Sequence, residues 1–233
     1  MGVRELVLVR HGESEGNVVA AKAWDEGLEV IEIAERDADV ELSAAGADQA
    51  KALGEALASL GGERPDAVWC SPYVRAQQTA RIALQSAGLE LTVRLDERLR
   101  DRELGVLDQL TRRGIEARHP EEAELRRRLG KFYHRPAGGE SWADIALRVR
   151  TALADLDRLE DGRRVLLVCH DAVVLVVRYI CEQLTEAEVL EVARSQPVRN
   201  VSITRLTRAP DGTAWRLAGY NDVSHLEPGE HPA

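Results

Sequence analysis

A chain of 233 residues is long enough to bury a full core as one domain, and its 44% hydrophobic and 30% charged content excludes a disordered protein. No apolar run reaches the length that crosses a bilayer as a helix. A formal charge of -9 argues against a general nucleic-acid binder, whose affinity comes from Lys and Arg set against phosphates, so any anion site must be local.

In chain order, residues 1–5 lead into a strand-like segment without the apolar stretch or small-residue cleavage site of a secretory leader. Leu6 stands where a myristoylation signal needs Ser or Thr. Cys70, Cys169 and Cys181 are odd in number and too scattered for a disulfide framework or a CxxC site. A cytoplasmic location with no membrane attachment is therefore expected. Leu6-Val7-Leu8-Val9 reads as a buried strand that empties into Arg10-His11-Gly12. Residues 44–60 put Ala50, Leu53, Leu57 and Leu60 on one helical face, with Ser43 as cap and Gly61-Gly62 as stop. Residues 65–70 read as a second strand. Ser71-Pro72 follows, a proline suited to the first turn of a helix over 73–86. Residues 91–95 suggest a third strand and 96–135 a charged, weakly patterned region. From Ser141, the spacing of Trp142, Ile145, Val149, Leu153, Leu156 and Leu159 predicts an amphipathic helix. Residues 165–169 form another buried strand ending at His170, and 173–177 fit strand or helix equally by periodicity. Residues 200–206 and 214–218 read as strands, and 227–233 as a loose tail. The alternation predicts one layered α/β domain over residues 1–226 with a mostly parallel sheet.

In such sheets ligands sit beyond the carboxyl ends of the strands. Three predicted strand ends carry Arg10-His11, Cys70-Ser71-Pro72 and His170. The first runs on as Gly12-Glu13-Ser14-Glu15-Gly16-Asn17, where the glycines let backbone N–H groups approach an anion and Asn17 adds a donor. The same stretch matches the G-x-S-x-G elbow of serine hydrolases, which would make Ser14 the nucleophile with His170 or His225 as base. That alternative leaves Arg10-His11 unexplained and offers no earlier strand-helix unit for an oxyanion loop. The histidines have no ligand-like spacing, so no metal is expected, and no cofactor motif is present. Arg126-Arg127-Arg128 reads first as a solvated helix face.

An ordered set of segments resembles the histidine phosphatase superfamily, phosphoglycerate mutase-like branch. It comprises Leu8-Val9-Arg10-His11-Gly12-Glu13-Ser14 with Asn17; Leu42-Ser43 with Gly46 and Gln49-Ala50; Cys70-Ser71-Pro72 with Arg75-Ala76 and Thr79-Ala80; residues 99–105; Gly138-Gly139-Glu140-Ser141; and Val168-Cys169-His170. The resemblance implies a three-layer α/β/α fold, a helix over 173–181, phosphorylation of His11, and a phosphate pocket built from Arg10, Arg75, His170, Ser14 and Asn17. The chemistry agrees. A neutral imidazole nitrogen attacks phosphorus in line and splits one hard transfer into two easier ones. Arginine forks and a protonated histidine replace a metal on the equatorial oxygens, each worth on the order of 3 kcal/mol.

This sequence departs from the family's pattern in three places. Asp171 follows His170 where glycine is common. The position of the family's proton-transferring glutamate falls on Asp101, with Glu103 a rival nearby. Residues 107–136, expected to cover the substrate side, are not fixed by the resemblance. The expected function is a metal-independent phosphatase acting on a small phosphorylated molecule, with phosphoproteins a second substrate class; a phosphomutase of the same family is the alternative and a serine hydrolase the remote one.

Overall fold

A computed structural model describes residues 2–226 except 210 and 213, so the expected tail at 227–233 lies outside the described residues. The chain order is β1 (Glu5–Arg10), α1 (Glu15–Asp25), α2 (Ala44–Ser59), β2 (Ala67–Cys70), α3 (Val74–Ala87), β3 (Val93–Leu95), α4 (Arg112–Arg118), α5 (Pro120–Tyr133), α6 (Trp142–Leu159), β4 (Arg164–Cys169), α7 (Asp171–Cys181), α8 (Glu186–Ser195), β5 (Ile203–Arg208) and β6 (Trp215–Asp222). Among the described residues the strands make one six-stranded sheet in the order β3-β2-β4-β1-β5-β6. Its first four strands run parallel, and β5 and β6 add antiparallel pairs at one edge. The fold is the expected α/β class with a mixed, mostly parallel sheet.

Alternation along the central strands creates the layers. Leu6, Leu8, Trp69, Val165 and Leu167 point into a core shared with α6 and α7. Val7, Val9, Val68, Leu166 and Val168 point the other way, into a core shared with α2 and α3. Both faces are covered, which is why these strands read as continuous apolar runs. Residues 173–177 are helical, as the resemblance implied, and all five side chains are buried. Burying each contributes about 2 kcal/mol relative to exposure, and burial around the whole circumference erases the periodicity that would identify a helix.

The register aligns the strand ends. Arg10 pairs with Cys169 across β1 and β4, and Cys70 pairs with Val168 across β2 and β4. His11, Ser71 and His170 therefore emerge together at one edge of the sheet. The N-terminus of α2 presses on the first loop: a Cβ on Gly46 would stand 1.9 Å from the Glu13 carbonyl oxygen, so only glycine fits there.

Some elements differ from expectation. Residues 15–25 form α1, with Ser14 accepting from the Asn17 N–H and Asn17 accepting from the Ser14 N–H in a capping box. Pro72 lies outside α3, whose N-cap is Tyr73. The weakly patterned 96–135 region contains α4 and α5. Gly130, at φ 76°, breaks α5 near its end, turning Phe132 into the core. β5 begins at Ile203 and not at 200, because the preceding residues form a corner with Val201 at φ 48°.

Candidate active site

His11 leaves the end of β1 and is buried. Its Nδ1 lies 2.7 Å from the Gly12 carbonyl oxygen; a carbonyl only accepts, so this nitrogen carries the proton and Nε2 keeps a lone pair. Arg75 Nε donates to that Nε2 at 3.2 Å. Burial, then the charges of His170, Arg75 and Arg10, hold the imidazole well below its ordinary value. The ring is consequently neutral at neutral pH.

His170 packs against His11 with ring centroids 5.1 Å apart. Its Nε2 lies 2.8 Å from Ser71 Oγ, and Ser71 Oγ also accepts from the Tyr73 N–H. Its Nδ1 stands 3.2 Å from Asp101 Oδ2, an ion-pair contact too poorly aligned to count as a hydrogen bond. The two ring nitrogens of His170 therefore face Ser71 and Asp101.

Arg75, from the first turn of α3, is buried. Besides His11 it meets Asp101 Oδ2 at 3.1 Å through Nη2. It also donates to the Asp37 backbone oxygen at 2.5 Å through Nη1, with the Asp37 carboxylate 3.0 Å away. Burial pushes the Asp101 carboxyl up, but His170, Arg75 and the Arg102 N–H together hold it far below the usual carboxylate range. Arg10 donates through Nη1 to the Val198 carbonyl at 2.7 Å, and its Nε is buried with no partner among the described residues.

Arg10, His11, Ser14, Asn17, Arg75 and Asp101 line one cavity of about 190 Å³, so the structure brings most of the expected residues together. Glu103 is outside the lining of this cavity and shares another with Asp101; its half-exposed side chain accepts from the Tyr73 hydroxyl at 2.9 Å. Asp171 lines the cavity that holds His11 while its Oδ1 accepts from the Ala172 N–H. Ser14 Oγ accepts from a backbone N–H in the α1 cap, and the hydroxyl set against His170 belongs to Ser71. Ser71 and His170 are both fully buried; the Ser71-His170-Asp101 line has triad-like contacts, with Ser71 on the Nε2 edge of the ring and Asp101 on the Nδ1 edge.

Sequence reasoning missed Asp37, Ser71 as the partner of His170, and Asn200, whose Nδ2 donates to the His11 carbonyl at 2.9 Å. Only Ser71, next to a strand end, carried a local signal. Spacing also missed that His11, Asp101 and His170 place potential ligand atoms within 4.8 Å of one another. Arg75 already contacts His11 Nε2 and Asp101 Oδ2, so a metal ion there would compete with a buried guanidinium.

The segment expected to be the cover borders a second cavity of about 770 Å³ whose lining includes Trp24, Arg112, Ile115, Arg126, Arg127 and Lys131. Arg113 donates to the Gly27 carbonyl and Arg118 pairs with Glu29, so these two pin α4 to the loop after α1. Burial pushes Lys131 down; the Asp171 charge opposes this, and those of Arg126 and Arg102 add to it. The buried thiols of Cys169 and Cys181 are pushed up to about 12 by burial, which makes them poor nucleophiles.

Comparison with known proteins agrees with this arrangement. A probable phosphoglycerate mutase GpmB of Enterobacter sp. (strain 638) is 33% identical over 96% of this chain and 95% of its own length; its counterpart in Salmonella paratyphi C is 34% identical over the same shares. A solved mycobacterial glucosyl-3-phosphoglycerate phosphatase, complexed with VO3, superposes with a TM-score of 0.72 at 31% identity, covering 94% of this chain and 99% of that one. A putative alpha-ribazole-5'-P phosphatase from Escherichia coli, 21% identical, shares the fold with a TM-score of 0.76 over 94% of this chain and 97% of its own. The histidine phosphatase superfamily (branch 1) profile matches residues 6–223, and with this arrangement of histidines and arginines the chain belongs to that superfamily.

Proposed function

We propose that the protein is a metal-independent phosphatase that hydrolyses phosphomonoesters through a phosphohistidine on His11. The observation that carries this reading is the His11 ring itself: Nδ1 is committed to the Gly12 carbonyl, burial and neighbouring cations keep the ring neutral, and the Nε2 lone pair faces Arg75. Arg10, Arg75 and His170 bind the phosphoryl oxygens, and the field they set up stabilises the charge of the transition state. Asn17 and Ser14 complete the pocket wall through the N-terminus of α1, where N–H groups favour an anion.

Asp101 transfers the proton, and its surroundings explain how. In the free protein it is ionised, held so by His170 and Arg75. A phosphate bound to those same two cations weakens their hold and adds repulsion, so the Asp101 carboxyl becomes more basic on substrate binding. A substrate arriving as its monoanion brings the proton that Asp101 passes to the leaving oxygen; the carboxylate then takes a proton from the water that attacks phosphohistidine. The same parts would serve a phosphomutase. Hydrolysis is favoured here because solved relatives at about 30% identity include a phosphatase, whereas the mutase name on the curated relatives is itself given as probable. A panel of phosphomonoesters, with and without a chelator, tests the reading. Phosphate release unaffected by chelator is expected; activity that disappears with chelator and returns with metal would contradict it.

Asp37 must yield when phosphate reaches Arg75, because its backbone and carboxylate oxygens hold the outer edge of the guanidinium. Asp37→Asn removes the charged competitor. Inorganic phosphate is then expected to inhibit severalfold more tightly in steady-state assays, and unchanged inhibition would show that Asp37 does not compete.

The cover cations are assigned to the leaving group. Arg126→Ala is expected to raise KM severalfold more for a substrate with a second anionic group than for a simple aryl phosphate. Equal changes for both would return Arg126 to a solvated helix face.

A further inference from the structure

We propose that Asn200 is a positioning residue for the phosphoryl-transfer step, acting through the backbone of His11; the inference rests on the reading of His11 as nucleophile. The peptide joining His11 to Gly12 is pinned at both ends. The His11 carbonyl accepts from Asn200 Nδ2 at 2.9 Å, and the Gly12 N–H donates to Thr79 Oγ1 at 3.0 Å. The next carbonyl, that of Gly12, takes the ring proton of His11. Turning the first peptide would swing Gly12 and with it the oxygen that fixes the tautomer and tilt of the imidazole.

The same corner of chain governs Arg10. Val198 accepts from Arg10 Nη1 at 2.7 Å, and the Val201 N–H donates to the Arg10 carbonyl at 3.0 Å. Val201 is a buried, β-branched residue at φ 48°. Such a residue tolerates this conformation only where its surroundings impose it, and strain of this kind gathers at functional sites. The corner is in turn tied down by Asn221, whose Oδ1 accepts from the Arg199 N–H at 2.8 Å and whose Nδ2 donates to the Pro197 carbonyl at 2.9 Å. A clamp late in the chain therefore sets both the nucleophile and one phosphate-binding arginine. In-line attack is sensitive to displacements near 1 Å, which can change rates about 10²-fold.

The test uses Asn200→Ala and Asn200→Asp. The aspartate keeps the shape but, when ionised, cannot donate to the His11 carbonyl, and it sets an oxygen near Asn17 Oδ1, where Asn200 Nδ2 now lies 3.4 Å away. Arg10, Glu13 and Arg199 line the same cleft. Both variants are expected to slow single-turnover phosphorylation of His11 by about 10- to 10²-fold, with a smaller change in KM. Relative to the parent protein, Asn200→Asp should recover as pH falls through the carboxyl's ordinary value of about 4, where the protonated group donates again. Nitrogen NMR of the His11 ring in the substrate-free protein should show a changed tautomer ratio or shift in both variants. Parent-like phosphorylation rates with an unchanged ring spectrum would overturn the proposal, as would a loss that follows melting temperature and shows no recovery at low pH. If the parent protein forms no phosphohistidine, the nucleophile reading fails, and the ring spectrum alone decides whether Asn200 positions the imidazole.

Discussion

Replacing His11 with alanine is expected to reduce turnover of every phosphomonoester by on the order of 10⁴-fold or more, the scale on which removal of a nucleophile acts. The prediction follows from His11 Nε2, which keeps its lone pair because the Gly12 carbonyl holds the proton on Nδ1. Ser14→Ala supplies the contrast. Its hydroxyl caps α1, so its loss should cost about 1 kcal/mol of stability, seen as a lower melting temperature, with a far smaller effect on rate. The opposite pattern, a tolerated His11→Ala with an inactive Ser14→Ala, would favour the serine-hydrolase alternative.

Asp101→Asn should be the next most damaging change, and its effect should depend on the leaving group. A poor alkoxide needs a proton as its bond to phosphorus breaks, whereas a good phenolate does not. The variant should lose about 10²- to 10⁴-fold on the former and much less on the latter. Glu103→Gln should affect both alike, because Glu103 accepts from the Tyr73 hydroxyl and lies outside the lining of the cavity that holds His11. The pH dependence has a definite sign. With His11 neutral and Asp101 ionised in the free protein, kcat/KM should fall as pH rises through the second phosphate ionisation near about 6, when the substrate stops bringing a proton. The same loss in Glu103→Gln alone would move the proton transfer to Glu103.

The depressed imidazole also bears on stability. Below the ordinary value of about 6.5 the unfolded chain binds a proton at His11 that the folded protein refuses, so His11 makes the folded protein progressively less stable as pH falls beneath that value.

Much of this site was legible in the sequence because strand ends announce themselves. Apolar runs that stop at Arg10-His11, Cys70-Ser71 and Cys169-His170 mark the carboxyl edge of the sheet, and the register places them side by side. Asp101 was legible only through its spacing within a family pattern. Asp37 was not legible, since its contact with Arg75 depends on how the loop after α1 folds back. Asn200 read as the start of a strand, because the pattern of its neighbours is that of β5 and nothing local announces an αL corner at Val201. The α1 helix was hidden for a different reason: Ser14-Glu15-Gly16-Asn17 has both the composition of an anion loop and the capping box of a helix, and here one stretch does both.

Trapping the phosphoenzyme tests the central claim most directly. Rapid acid-free quenching after mixing with a labelled phosphomonoester, followed by peptide mapping, should place the label on His11, and the bond should break in acid and survive alkali, as a phosphoramidate does. Label on Ser14 with the reverse lability, or turnover with no covalent label under conditions that would trap one, would contradict the account.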